Sequence, residues 1–337
     1  MMGKETIILN RDRGIRLTPY IVTHEKKMTF LLCPGGGYTN CEESESVPVA
    51  KVFNELGYNA FILQYSVGKH YKWPYPLEDF DTAMEYMIQH APEYHVDTEH
   101  IVAAGFSAGG HVVSVAASIA KVKPFAAILC YGLTSLETLA FCAPDAPDAC
   151  SLVNRGTVPC FLASSRTDWI VPVTDTTNLI AAFQKHFVDY EAHIYGYALH
   201  GFSVGESTGA AGPLFCSRVG NWVKDSLEWL DELMGGRYKS IKECAAYNDL
   251  YATTYSTMNS CRTLFSHKET AKIVKYKFPV QYMIYAAASK KVGSFTETVS
   301  LRQVLELVKT DSEVIFKMDR ELQKIPFTSV CEESENV

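Results

Sequence analysis

Ser107 sits in Gly105-Phe106-Ser107-Ala108-Gly109, a G-x-S-x-G that follows the apolar run "IVAAGF" and precedes the helical pattern "HVVSVAASIA". Small residues on both sides of a serine suit a sharp strand-to-helix turn, which lifts the hydroxyl above a sheet edge and aims a helix N-terminus at it. Such a hydroxyl attacks a carbonyl only if a base takes its proton and a carboxylate holds that base in one tautomer. Two residues downstream stand just beyond strand-like runs: Asp168 after "PCFLAS" and His200 after "EAHIYGY". The other candidates fit less well. His193 falls inside a strand, His186 closes a helix, and His111, on the helix after the serine, reads as a surface or packing residue. Asp175 reads as a helix N-terminal cap, and Asp145 and Asp148 lie in the loop "CAPDAPDAC" with no strand before them.

Acyl transfer also needs donors for the oxyanion that develops on the carbonyl, each worth about 2.7 to 4 kcal/mol. "CPGGGY", residues 33–38, places three glycines directly after the apolar run "MTFLLC". Gly36 and Gly37 can turn their N–H groups toward a substrate because no Cβ stands in the way, and Ala108 can supply a third N–H from the start of the helix. The glycines fit neither a phosphate loop nor a dinucleotide fingerprint, since neither G-x-x-x-x-G-K-[ST] nor G-x-G-x-x-G follows.

These residues must be held by a scaffold, and the chain provides one. Over the first 235 residues, short apolar runs alternate with helical patterns, the signature of a mostly parallel sheet flanked by helices. Eight strands are expected: "TIIL", "IRLTPYIV", "MTFLLC", "AFILQYSV", "IVAAGF", "FAAILCYG", "PCFLAS" and "EAHIYGY". Helices are expected at 47–56, 76–90, 107–120, 175–186 and 217–234, so residues 1–237 read as one α/β domain. Residues 238–337 carry few breakers and read as a small, mainly helical module with a frayed end. The 337-residue chain has 47% hydrophobic and 20% charged residues and a formal charge of −7, which argues against a nucleic-acid surface. No apolar run is long enough for a membrane span or a leader, so the expectation is a cytoplasmic protein. Its ten cysteines form no C-x-x-C pair.

The same stretches resemble the α/β-hydrolase superfamily, and more narrowly the acetyl-xylan and feruloyl esterase-like proteins, often called xylanase-associated esterases. The resemblance rests on "CPGGGY", "ESVPVAKVFNELGYNAFILQYSV", "YPLEDFDTAMEYM", "VDTEHIVAAGFSAGGH", "TDWIVP" and "HGFS", and covers about 235 residues. It implies the order serine, acid, histidine, which Ser107, Asp168 and His200 follow, and an oxyanion hole at Gly36, Gly37 and Ala108. It also implies an α/β-hydrolase fold and a mechanism that needs no metal or organic cofactor. The loop departs from hormone-sensitive-lipase relatives, which carry histidine where this chain has Cys33 and Pro34.

Fewer than thirty residues precede the strand before "PGGG", and only about 28, Gly132 to Pro159, separate the strands where a cap is often inserted. That spacing suggests an open, shallow site for an acetyl or other short acyl group on a bulky alcohol. Tyr38, Tyr65, Tyr131, Trp169 and Phe202, with Trp73, are candidate sugar-stacking surfaces. The expected partner is a small-molecule or oligosaccharide ester, with no nucleic acid and no membrane. Homo-oligomerisation and contacts through the C-terminal module stay open. The alternatives are a general short-chain carboxylesterase, an arylformamidase-like amide hydrolase, or a binding protein without catalysis. A peptidase gated by a propeller is excluded for want of chain.

Overall fold

In the computed structural model, described residues are 5–205, 217–235, 245, 248–249, 252–292 and 299–327. The chain divides into two compact units, 1–230 and 231–337. The cut falls inside the helix Trp222–Met234 rather than after it at residue 237. The expected frayed end, residues 328–337, lies outside the described residues.

The first unit is an eight-stranded sheet: β1 Ile7–Asn10, β2 Ile15–Tyr20, β3 Lys27–Cys33, β4 Asn59–Gln64, β5 Val96–Phe106, β6 Ala126–Cys130, β7 Cys160–Ser165 and β8 Tyr190–Tyr195. The spatial order is β1-β2-β4-β3-β5-β6-β7-β8. β1, β2 and β4 pair antiparallel, and every pair from β4 to β8 is parallel. Central strands such as "FLLC", "AAILC" and "CFLASS" are buried at every position. That is why they read as unbroken apolar runs: helices cover both faces of a parallel sheet. The helices α1 Val47–Glu55, α2 Tyr75–Gln89, α3 Ala108–Ile119, α4 Val173–His186 and α5 Trp222–Met234 follow the expected segments within a few residues.

Two features of this sheet place a site. After β3 the chain moves to β4 on one side and then to β5 on the other, so loops leave β3 and β5 in opposite directions and open a crevice at the carboxyl ends of the strands. Cys33 is paired with Gly105 across β3 and β5, so the loop beginning at Pro34 and the turn at Ser107 emerge side by side. Helix α3 leads away from that crevice. Its Ala, Gly and Ser residues are buried from Ala108 to Ser118, letting it approach the sheet closely.

The second unit's described elements are helices α6 Cys261–Ser266, α7 Lys268–Lys272, a π-helical turn Ile273–Lys277, α8 Pro279–Val292, α9 Leu301–Leu307 and α10 Ser312–Leu322. They surround a core of Tyr255, Leu264, Val274, Leu301, Leu305, Met318 and Leu322. Ser260 caps α6 and Ser300 caps α9, the latter through a reciprocal capping box with Gln303. Among the described residues no helix is long and apolar enough to cross a membrane, and no group of three or more His, Cys, Asp or Glu is arranged to hold a metal ion.

Candidate active site

Ser107 links β5 to α3 at φ 51°, ψ −119°, a left-handed conformation that L-residues rarely adopt. The fold holds it there by crowding. Its N–H donates to the Cys130 carbonyl at 3.0 Å. Gly109 packs so closely on the preceding loop that a Cβ would stand 1.9 Å from the Cys33 oxygen and 2.5 Å from the Pro34 oxygen. The backbone carbonyls of Cys33 and Pro34 form the surface on which the serine turn rests, and the Tyr65 hydroxyl donates to the Pro34 oxygen at 2.7 Å.

His200 joins the two other chemical candidates. Its Nε2 lies 2.9 Å from Ser107 Oγ and its Nδ1 lies 2.7 Å from Asp168 Oδ2. Asp168 is buried, and its second oxygen accepts from the Ile170 and Val171 amides at 3.0 and 2.9 Å, which fixes the carboxylate. An ionised carboxylate only accepts, so Nδ1 carries the proton and Nε2 is left to take one from the serine. The histidine loop is itself pinned. The Ser203 N–H donates to the Tyr131 hydroxyl at 3.0 Å, Ser203 Oγ donates to the Ser44 carbonyl at 2.6 Å, and the Trp222 indole donates to the Ser203 carbonyl at 2.7 Å.

These groups open into a cavity of roughly 930 Å³ lined by Gly36, Gly37, Glu42, Glu45, Ser107, Leu133, Phe141, Trp169, Leu199 and His200, among others. Gly36 and Gly37 lie at φ +115° and +57°. Among the described residues neither N–H meets a protein acceptor, and the Ala108 N–H, first in α3, has no partner within its helix. The two glycines differ in the room around them. A Cβ at Gly36 would stand 2.3 Å from the Asn40 carbonyl oxygen, whereas one at Gly37 would meet nothing within 4 Å. Substitution at Gly36 therefore damages the loop itself.

The aromatic candidates divide. Trp169 is 77% exposed at the cavity mouth, but Tyr38, Tyr65, Tyr131 and Phe202 are at most 2% exposed and offer no face to a sugar. Each of the four has a structural task instead. Tyr131 and Phe202 pack edge to face at 4.4 Å beneath His200, and Tyr38 and Tyr65 brace the glycine loop. Trp73 packs against the His111 ring at 5.4 Å. Phe141, 90% exposed on the 132–159 segment, faces the mouth and was not among the candidates.

Several charged residues also take unexpected places. His111 is fully buried: Nε2 donates to the Pro147 carbonyl at 2.8 Å, which leaves Nδ1 to accept from the Tyr38 hydroxyl at 2.6 Å. Burial pushes its pKa down to about 4. Asp175 is no cap of its own helix. It is buried and accepts from the amides of Thr134 and Ser135 and the hydroxyls of Ser135 and Thr138, at 2.7 to 3.2 Å. Asp145 accepts from the Tyr71 hydroxyl and the Trp73 amide at 2.7 and 3.1 Å. Nothing in the sequence marks Glu45 as a site residue. It is 3% exposed, lines the cavity, and accepts the Gly35 N–H at 2.7 Å. Burial raises its pKa, opposed by His200, the Gly35 N–H and the Tyr131 hydroxyl.

The sequence pattern of the BD-FAE family matches residues 20–135, a span that includes the glycine loop and Ser107. Among solved structures, an α/β-hydrolase enzyme from a Medee basin deep-sea metagenome library is 31% identical, with a TM-score of 0.62 over 68% of this chain and 96% of that one. An acetyl ester-xyloside bifunctional hydrolase from Caldicellulosiruptor lactoaceticus is 27% identical, with a TM-score of 0.60 and coverages of 68% and 96%. The chain belongs to the α/β-hydrolase family. Within it, the chain resembles xylanase-associated esterases: endo-1,4-beta-xylanase B of Butyrivibrio fibrisolvens is 28% identical over 209 residues, 53% of this chain and 33% of that protein. The chain spans a third to a half of the length of the curated relatives it matches.

Proposed function

We propose that the chain is a serine carboxylic ester hydrolase that removes short acyl groups, acetyl above all, from carbohydrates such as xylo-oligosaccharides. The observation that carries this reading is the single imidazole bridging Ser107 at 2.9 Å and Asp168 at 2.7 Å on the floor of a cavity bordered by Gly36 and Gly37. In this reading Ser107 Oγ attacks the ester carbonyl carbon while His200 Nε2 takes its proton. Asp168 steadies the resulting imidazolium. The amides of Gly36, Gly37 and Ala108 receive the oxyanion. Collapse of the tetrahedral intermediate breaks the bond to the alcohol, which leaves with the proton from His200. Water then adds to the acyl-enzyme by the reverse relay, releasing the acid and restoring the serine.

The carbohydrate assignment draws on the resemblance to the xyloside-acting hydrolase and on Trp169 and Phe141 at the mouth, where a bulky alcohol would rest. A general short-chain carboxylesterase is the second reading, favoured by the apolar wall of Leu133, Ile170, Val171 and Leu199. The deciding measurement compares acetate release from acetylated xylo-oligosaccharides with hydrolysis of simple aryl acetates. A kcat/KM on the oligosaccharide well below that on the aryl ester would move the assignment to the general esterase.

A further inference from the structure

Among the described residues, Glu45 is a carboxylate buried against the proposed reaction centre that the relay does not use. It meets the site from three directions. Its Oε2 accepts the N–H of Gly35, the residue immediately before the proposed oxyanion donors. Gly35 is glycine for that reason: a Cβ there would stand 2.4 Å from Glu45 Oε2 and 2.7 Å from the Ser107 Cβ. Its other oxygen faces the histidine loop, 3.7 Å from where a Gly201 Cβ would lie. The Tyr131 hydroxyl, which holds the Ser203 amide of that loop, acts on the same carboxylate.

We propose that Glu45 is a positioning residue: its buried carboxyl group ties the glycine loop to the histidine loop and places a second acidic side chain, beside Asp168, against His200. The inference rests on the reading of Ser107, Asp168 and His200 given above. Two physical consequences follow. With the Gly35 N–H held by Glu45, the next two amides are aimed into the cavity before substrate arrives, so the donors need no rearrangement when the oxyanion forms. A buried negative charge near an imidazole also lowers the free energy of the imidazolium, because the surrounding dielectric screens it weakly.

The groups facing Glu45 are Glu42 on its own turn, Tyr65 beyond β4, Cys130 and Tyr131 at the end of β6, and His200 beyond β8. Of these, Glu42 opposes its ionisation and His200 favours it. The tyrosines and the cysteine are kept neutral by burial, so Glu45 acts chiefly on His200.

The test is Glu45→Gln in the full chain, with folding checked by thermal unfolding and p-nitrophenyl acetate hydrolysis followed from acid to alkaline pH. The expected result is a kcat lower by on the order of tenfold or more, with KM within about threefold. The acidic limb of kcat/KM should move to lower pH, because a neutral amide then replaces the buried acidic group beside the reaction centre. A residue that merely fills space would leave that limb in place, and an unmoved limb overturns the proposal.

Should the glutamine variant fail to fold, Glu45→Asp replaces it, keeping the carboxyl group while stretching the bond to Gly35. A reduced kcat with the limb unmoved is then expected, and a wild-type kcat overturns the idea. Labelling of Ser107 by an organophosphate ester separates the two levels of the argument. A wild-type chain that is not labelled overturns both the site reading and this inference. A wild-type chain and a Glu45→Gln chain labelled at equal rates overturn this inference alone.

Discussion

The floor and the mouth of the cavity are built on opposite principles. At the floor, backbone approaches backbone: Ser107, Tyr38, Tyr131 and Ser203 all carry positive φ without being glycine, and their polar atoms are held by buried or part-buried partners. Strain of this kind persists only where neighbours over-determine it. At the mouth, Phe141, Trp169 and Ile170 stand in solvent with little packed against them. The floor is a place where geometry is fixed before a substrate arrives. The mouth is a place where side chains are free to adapt, so changes at the two should differ in kind as well as size.

The sharpest division is expected from Ser107→Ala. It should reduce p-nitrophenyl acetate turnover by about 10⁴-fold or more with the fold intact, and retained turnover would remove the floor from the chemistry altogether. Gly109→Ala tests the crowding itself. A Cβ 1.9 Å from the Cys33 oxygen forces the serine turn and the glycine loop apart, and a loss of about 3 kcal/mol in urea unfolding is expected. Gly37→Ala meets no atom and pays only for its φ of +57°, so it should cost about 1 kcal/mol in stability while lowering turnover more than that loss explains.

A fourth test uses pH. His111 in the folded chain titrates at about 4, below the value near 6.5 expected when unfolded. Between these two values the unfolded chain binds the extra proton, so stability falls as pH drops from about 6.5 to about 4 and levels off below. The contribution is about 3 kcal/mol, and it should vanish from the difference between urea midpoints at pH 7 and pH 4 in His111→Gln. A variant as acid-sensitive as the wild type would show that this histidine is not the buried base of the floor.

The smallest effects belong to the mouth. Trp169→Ala should raise KM for an acetylated oligosaccharide by roughly fivefold, with Phe141→Ala weaker. Both should leave p-nitrophenyl acetate turnover and thermal stability nearly unchanged.

The contrast also marks what a sequence can reveal. The central strands were legible because a parallel sheet covered on both faces must be apolar along its length. Ser107, Asp168 and His200 were legible because each follows such a run, where loop residues converge. Burial of single polar side chains was not legible. Tyr38, Tyr65 and Tyr131 have the chemistry of a sugar platform, but their hydroxyls are consumed by His111, the Pro34 carbonyl and the Ser203 amide. Asp175 has the look of a cap, yet its carboxylate crosses to another loop. Glu45 escaped notice because its partners, Gly35 and the histidine loop, are close only after folding.

The Asp175 carboxylate bears on how fast the cavity can exchange its contents. By gathering Thr134, Ser135 and Thr138 around one buried anion, it rivets the start of the 132–159 segment to helix α4. A wall fastened in this way is anchored at that end. The exposed Phe141 and Trp169 side chains at the mouth are free of such anchoring and can rotate on the scale of picoseconds to nanoseconds.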